Sequence, residues 1–209
     1  MKKLFFVLFL LMPLSLFAFH FDAACVLGIE NRMNFEKQNS APSPLKFQIG
    51  FGVDCSFTQF FRLSPSIVFS SDYYSWNEDF SVALPAEVER RTALVFSGMM
   101  SLPLEFYIPI KKVELFCGMG MGCYFRYGFL ANAVESVYED EVKKINSYFY
   151  ENCNWLYPFA SLGITIKLSE QHKIGFILSY YYPFKNFLES NPIHSFQDSL
   201  LALCSKVYF

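Results

Sequence analysis

Charge is scarce in this chain. Asp, Glu, Lys and Arg make up 17 % of its 209 residues, with a formal net charge of −2. With no basic excess there is no electrostatic footprint for nucleic acid. Long apolar runs are scarce as well. After the first 18 residues no stretch approaches 18 uninterrupted apolar positions, so the rest of the chain supplies no membrane-spanning helix. The six cysteines, at 25, 55, 117, 123, 153 and 204, form no C-x-x-C pair, and with three His no metal set stands out. The sequence therefore calls for no cofactor and no metal, and its leading reading assigns no catalytic residue. Repeats and low-complexity segments are missing too.

What the chain has in quantity is large apolar side chains, with 26 Phe and 13 Tyr. A high apolar total without apolar runs is the composition of a membrane barrel, in which lipid-facing and lumen-facing residues alternate. The first residues read as an export signal: Met1-Lys2-Lys3, an apolar run from Leu4 to Leu11, and small Ala18 after Leu14-Ser15-Leu16-Phe17. The run is short for a spanning helix. Asp22-Ala23-Ala24-Cys25 is a poor lipoprotein signal, because an aliphatic residue belongs at Asp22. Residues 1–18 are thus expected to be a signal peptide cleaved after Ala18, and residues 19–209 one barrel domain.

Eight segments alternate with a period of two. The clearest is Leu45 to Thr58. There Leu45, Phe47, Ile49, Phe51, Val53, Cys55 and Phe57 face one way, and Lys46, Gln48, Gly50, Gly52, Asp54, Ser56 and Thr58 the other. The other seven run from Asp22 to Phe35, Arg62 to Tyr74, Leu94 to Ile108, Val113 to Tyr127, Leu156 to Leu168, Lys173 to Phe184, and Ser199 to Phe209. One choice of parity per strand clears the outward face of charge in all eight. A Lys or Arg on that face costs ~2–4 kcal/mol near the bilayer midplane, which gives the pattern a physical cause. The fold expected is an eight-stranded antiparallel up-and-down transmembrane β-barrel. Connections after strands two, four and six are short, and the others long. Both termini then lie at the short-turn, periplasmic end.

The inward faces carry six acidic and seven basic residues. Glu30, Arg32, Asp54, Asp72, Glu105, Glu114, Arg126 and Lys167 form the core of this candidate lumen charge network. An eight-stranded lumen is just wide enough for side chains to fill. Its charges must pair, because an unpaired buried ion is costly. Near-equal numbers point to a salt-bridged plug rather than an ion-selective channel. In the longest loop, Val134, Tyr138, Val142, Ile145 and Phe149 recur at helical spacing, which predicts a helix resting its apolar side on the barrel rim. Gly118, Gly120 and Gly122 alternate on a strand and lack phosphate-loop spacing. They are expected to make room for Phe116, Tyr124 or Phe159. If the first hairpin turns near Asn39 and Ser40, Cys25 and Cys55 come close enough to form a disulfide.

The stretch Ser101-Leu102-Pro103-Leu104-Glu105-Phe106-Tyr107-Ile108-Pro109, followed by Phe116-Cys117-Gly118-Met119-Gly120-Met121-Gly122, resembles the small eight-stranded bacterial outer-membrane barrels. These are the barrels like outer membrane proteins A, X and W. In them a Pro-Leu strand ends in an aromatic-Pro turn and a Gly-alternating strand follows. Terminal Phe209 resembles their assembly signal, although Tyr208 directly precedes it where the family sets its aromatic residue two places before the end. The resemblance implies residence in outer-membrane lipid and recognition by the barrel-assembly machinery. Three functions compete. The leading one is a non-enzymatic barrel whose outer loops meet host or environmental ligands. The second is passive porin-like passage of small apolar molecules through a lateral opening near Pro65, Ser71 and Gly98. The third is a lipid-modifying enzyme using His194 with Ser190, Ser195 or Asp198.

Overall fold

Alternation becomes strand wherever one parity meets apolar surroundings and the other a packed interior. The computed structural model describes residues 20–33, 45–79, 81–86, 91–131, 135–169, 172–188 and 199–209. Its strands are β1 (His20–Met33), β2 (Lys46–Ser56), β3 (Phe61–Leu63), β4 (Ser66–Asn77), β5 (Val82–Pro85), β6 (Ala93–Ile110), β7 (Val113–Leu130), β8 (Leu156–Lys167), β9 (Lys173–Tyr181) and β10 (Ser199–Tyr208). Two helices accompany them, α1 (Glu139–Tyr150) and α2 (Lys185–Leu188). All pairings are antiparallel, and β1 pairs with both β2 and β10. The sheet therefore closes on itself, with β3 and β4 acting as one interrupted strand in a ring of eight.

The interruption corrects the single strand expected from Arg62 to Tyr74. Pro65 has no N–H for the ladder. Its carbonyl still accepts from Val53 N at 2.9 Å, and Ser64 N donates to Pro103 O at 3.2 Å, so the wall stays joined across the break. Strand β9 ends at Tyr181, three residues before the expected Phe184, and α2 follows. The short turns gather at one end. Lys111 and Lys112 make the tightest of them, with Lys111 at φ 56°.

Register also settles the disulfide question. Cys25 stands opposite Phe51, and Cys55 opposite Phe21. An offset of four rungs is ~13 Å along a strand, far beyond disulfide reach. The β1–β2 register is thus not the one that a turn near Asn39 and Ser40 would set, and all six cysteines are free.

The two faces differ as lipid and lumen demand. Phe47 is 82 % exposed, Met119 72 % and Leu162 63 %, all on the outside. Among the described strand residues no outward position is charged. Aromatic clusters mark both edges of this apolar band. Phe96, Tyr127 and Phe129 sit at the long-loop end, with ring centroids 5.9 and 4.8 Å apart. Phe60, Phe61 and Phe106 sit at the short-turn end, 6.2 and 5.4 Å apart. Paired aromatic girdles of this kind bound a lipid-facing band. No helix among the described residues is long and apolar enough to cross a membrane, so any crossing is made by strands.

Candidate functional site: the lumen

The inward parity of eight strands converges on one narrow volume, and its side chains sort into layers. Nearest the long loops, Lys46 Nζ lies 2.9 Å from Glu30 and 3.4 Å from Asp72, and donates to Tyr124 Oη at 2.8 Å. Arg32 pairs with Asp72 at 3.1 Å and hydrogen-bonds Tyr74 Oη. Gln48 donates to Glu30 at 2.6 Å.

Nearer the short turns, Arg62 holds Glu105 at 2.6 Å and reaches Glu114 at 3.3 Å and Asp54 at 3.5 Å. Lys206 pairs with Asp54 at 2.9 Å and hydrogen-bonds Ser64. Ser64 and Tyr208 hydroxyls also donate to Asp54, at 2.5 and 2.7 Å. Between the layers lies an apolar and aromatic filling that includes Met99, Tyr124, Tyr157, Phe159 and Tyr181.

Seven of the eight residues singled out from the sequence are buried inside the barrel: Glu30, Arg32, Asp54, Asp72, Glu105, Glu114 and Arg126. Lys167 stands at the short-turn mouth. Its side chain is 39 % exposed and pairs with Glu114 at 2.8 Å. Beside it Lys173 pairs with Asp22 at 2.7 Å. These residues, with His20, Arg62 and Tyr107, line a polar recess of about 620 Å³ open at that end.

Arg126 differs from every other inward cation. Among the described residues it has no carboxylate partner. Its guanidinium donates to Asn154 O at 2.9 Å and lies 4.7 Å from the Tyr124 ring and 4.3 Å from the Phe149 ring. Phe149 belongs to α1, so this cation touches the helix that closes the long-loop mouth. Aromatic faces attract a guanidinium electrostatically, and the attraction grows when water is excluded.

The helix does more than rest on the rim. Ile145 and Phe149 are wholly buried, packed with Val142 against Tyr74, Ala83, Ala93 and Val95. Tyr138 falls in the 3-10 turn before α1 and is 41 % exposed, and Val134 lies outside the described residues. On the outer side a hydrogen bond from Lys144 to Glu78, 2.7 Å long, holds the ammonium above its ordinary pKa.

Several polar partners escape a reading by residue class, because Tyr counts there as apolar. Tyr74, Tyr124 and Tyr208 share the parity of the lumen charges, and that parity is the signal that finds them. It also explains Tyr208: it faces inward to Asp54, while Phe209 faces out at 71 % exposure. The glycines need a correction too. A Cβ on Gly163 would sit 2.2 Å from Phe116 Cζ, so Gly163 makes the room for Phe116. Gly118 instead accommodates Glu105 and Ser161, each 2.9 Å from an added Cβ. Residues Ser190, His194, Ser195 and Asp198, and the expected signal peptide, lie outside the described residues.

No protein-family model and no curated protein sequence matches the chain. Solved structures do. Outer membrane protein OprG of Pseudomonas aeruginosa matches over 91 % of this chain and 92 % of its own, at 8 % identity and a TM-score of 0.52. Neisserial surface protein A matches over 91 % and 97 %, at 9 % identity and a TM-score of 0.49. Ail of Yersinia pestis, in complex with the heparin analogue sucrose octasulfate, matches over 91 % and 97 %, at 8 % identity and a TM-score of 0.45. The chain has the fold of the small outer-membrane β-barrels.

Proposed function

We propose that the protein is an integral barrel of the bacterial outer membrane, without enzymatic activity, that meets host or environmental ligands through its outer loops. Its lumen is a plug rather than a path. One observation carries this reading: two ion-paired layers enclose an aromatic filling, and α1 closes the long-loop mouth above them. A side-chain-filled eight-stranded interior leaves nothing for a hydrated ion to follow. In this reading residues 1–18 direct export, and Phe209 at the open end of β10 is the signal read by the barrel-assembly machinery. The membrane partner is outer-membrane lipid around the apolar band.

The test is single-channel conductance of refolded protein in a planar bilayer, with heat-dependent gel mobility as the folding control. Folded protein without current steps is the expected result. Discrete steps would overturn the plug.

A second reading, lateral passage of small apolar molecules, is favoured by one feature of the wall. The ladder between β2 and β4 runs only from Gly52↔Ser66 to Ile49↔Phe69. Beyond it β4 is laced from inside to β2 by Lys46–Asp72 and, across β2, to β1 by Arg32–Asp72. Gly98, by contrast, is no weak point, because the Phe69 ring lies 3.5 Å from where its Cβ would be and the β4–β6 ladder runs unbroken past it. Lateral passage requires that Asp72→Asn speed entry of an apolar dye into liposomes. Entry at the protein-free rate for both proteins would remove it.

A further inference from the structure

Strands β6 and β7 project past their neighbour. They pair with each other up to Ala93↔Leu130, but β8 leaves β7 at Cys123↔Leu156, with one further bond from Tyr124 N to Trp155 O. From Phe125 to Leu130 the β8-side edge of β7 has no strand beside it among the described residues. Bare edges are templates for pairing with another chain, and proteins usually blunt them with Lys, Pro or a bulge. Here the edge reads Phe125-Arg126-Tyr127-Gly128-Phe129-Leu130, with no Lys and no Pro. Its one charge, Arg126, points inward. Phe125, Tyr127 and Phe129 are exposed on its outer side.

Helix α1 takes the place of the missing strand. Asn146 receives the Gly128 N–H at 2.7 Å through Oδ1 and donates to Gly128 O at 2.9 Å through Nδ2. Tyr150 Oη receives the Arg126 N–H at 3.3 Å and donates to Arg126 O at 2.7 Å. Each of these two edge residues thus has both backbone groups satisfied by one side chain. The spacing explains why a helix serves. Residues i and i+4 of a helix lie on one face ~6 Å apart along the axis. Residues i and i+2 of a strand, which point the same way, lie ~6.7 Å apart. Asn146 and Tyr150 therefore meet Gly128 and Arg126 in antiparallel order, as a β8 extension would. Ile145 and Phe149, buried on the adjoining helix face, hold the two caps in register.

We propose that the upper edge of β7 is a pairing surface for a second copy of this chain, and that α1 is a strand surrogate that holds it closed. The second copy fits because an antiparallel edge is self-complementary about a two-fold axis. Self-pairing would set Phe125, Tyr127 and Phe129 of both copies side by side at the aromatic girdle, with no charge brought into lipid. The closed state is a monomer. Loss of α1 docking exposes the edge, and association follows.

The experiment uses the full-length mature protein and two variants. Asn146→Ala with Tyr150→Phe removes the caps. Adding Ile145→Ser and Phe149→Ser releases the helix. Each is read by amide hydrogen exchange in bilayers and by native mass spectrometry from detergent, after gel mobility has shown a folded barrel. Wild type is expected as a monomer with protected Arg126 and Gly128 amides. The cap variant exchanges those two about tenfold faster, as for loss of one hydrogen bond each, while Cys123 is unchanged and a dimer fraction appears at high protein density. The released variant is a dimer in which both amides are protected again. Unchanged exchange in the cap variant would overturn the surrogate role. A folded released variant that stays monomeric would overturn the pairing surface. If that variant does not fold, dimer or no dimer in the cap variant decides the same point. None of these readouts depends on whether the lumen conducts.

Discussion

Arg62→Met is the sharpest test of the lumen's energetics. Arg62 and Glu105 side chains are 5 % and 2 % exposed, and their contact is 2.6 Å. Arg62 also reaches Glu114 and Asp54, but those two have other partners: Lys167 for Glu114, and Lys206, Ser64 and Tyr208 for Asp54. Glu105 has no second cation in contact among the described residues. Removing Arg62 therefore leaves one buried carboxylate without its contacting cation. Breaking a buried pair from one side costs ~3–5 kcal/mol, because the surviving charge keeps its desolvation penalty. Met retains much of the side-chain volume, so cavity formation adds little. The stack of the guanidinium on Phe116, at 4.7 Å, is lost as well. Removing both charges is a different perturbation. Arg62→Met with Glu105→Leu leaves no orphan, and apolar replacement of a buried pair is often near neutral. The double variant should therefore recover at least ~2 kcal/mol relative to Arg62→Met, a coupling typical of groups in direct contact. Lys167→Met, at the exposed mouth, should cost no more than ~1 kcal/mol. The assay is urea unfolding in lipid vesicles, followed by the fluorescence of Trp76 and Trp155 and by gel mobility. A cost below ~1 kcal/mol for Arg62→Met, or a double variant as unstable as the two single changes summed, would refute the reasoning.

Three further outcomes follow from the same geometry. Phe149→Ala empties a wholly buried site and should cost ~3–5 kcal/mol in the same unfolding assay, with exchange rising throughout α1. Phe51→Lys puts a charge on an outward mid-strand position that is 61 % exposed; it should cost ~2–4 kcal/mol in vesicles, with Phe51→Leu close to wild type. Gly163→Ala drives a Cβ to 2.2 Å from Phe116 Cζ and 2.6 Å from Phe176 O. It should cost ~1–3 kcal/mol, and Phe116→Leu should recover only part of that, since the backbone contact remains.

The barrel was legible because lipid and lumen impose opposite chemistry at a period of two, so each strand needed only one choice of face. Where a strand lacks one of those environments the signal fails. Val82–Pro85 has all four residues buried, with Ala83 packed under α1, so β5 shows no alternation to read. The break at Pro65 was visible as a proline, but the alternation on either side hides it. The error in the β1–β2 register had a different cause: loop length fixes register, and the residues of that loop carry no periodic constraint.

The charges show best how far sequence reaches. Counting gave six acids and seven bases, but the pairs join strands that are neighbours or next neighbours in the closed wall, and Lys206 finds Asp54 152 positions away along the chain. Only the closed ring's register makes that meeting. A one-to-one matching then exists: Lys173 with Asp22, Lys46 with Glu30, Lys206 with Asp54, Arg32 with Asp72, Arg62 with Glu105, and Lys167 with Glu114. The surplus cation in the count is Arg126. Two aromatic rings and one carbonyl stand in for its missing acid, and one of those rings comes from α1. A charge count that omits Tyr and Phe faces therefore mistakes the helix anchor for an imbalance.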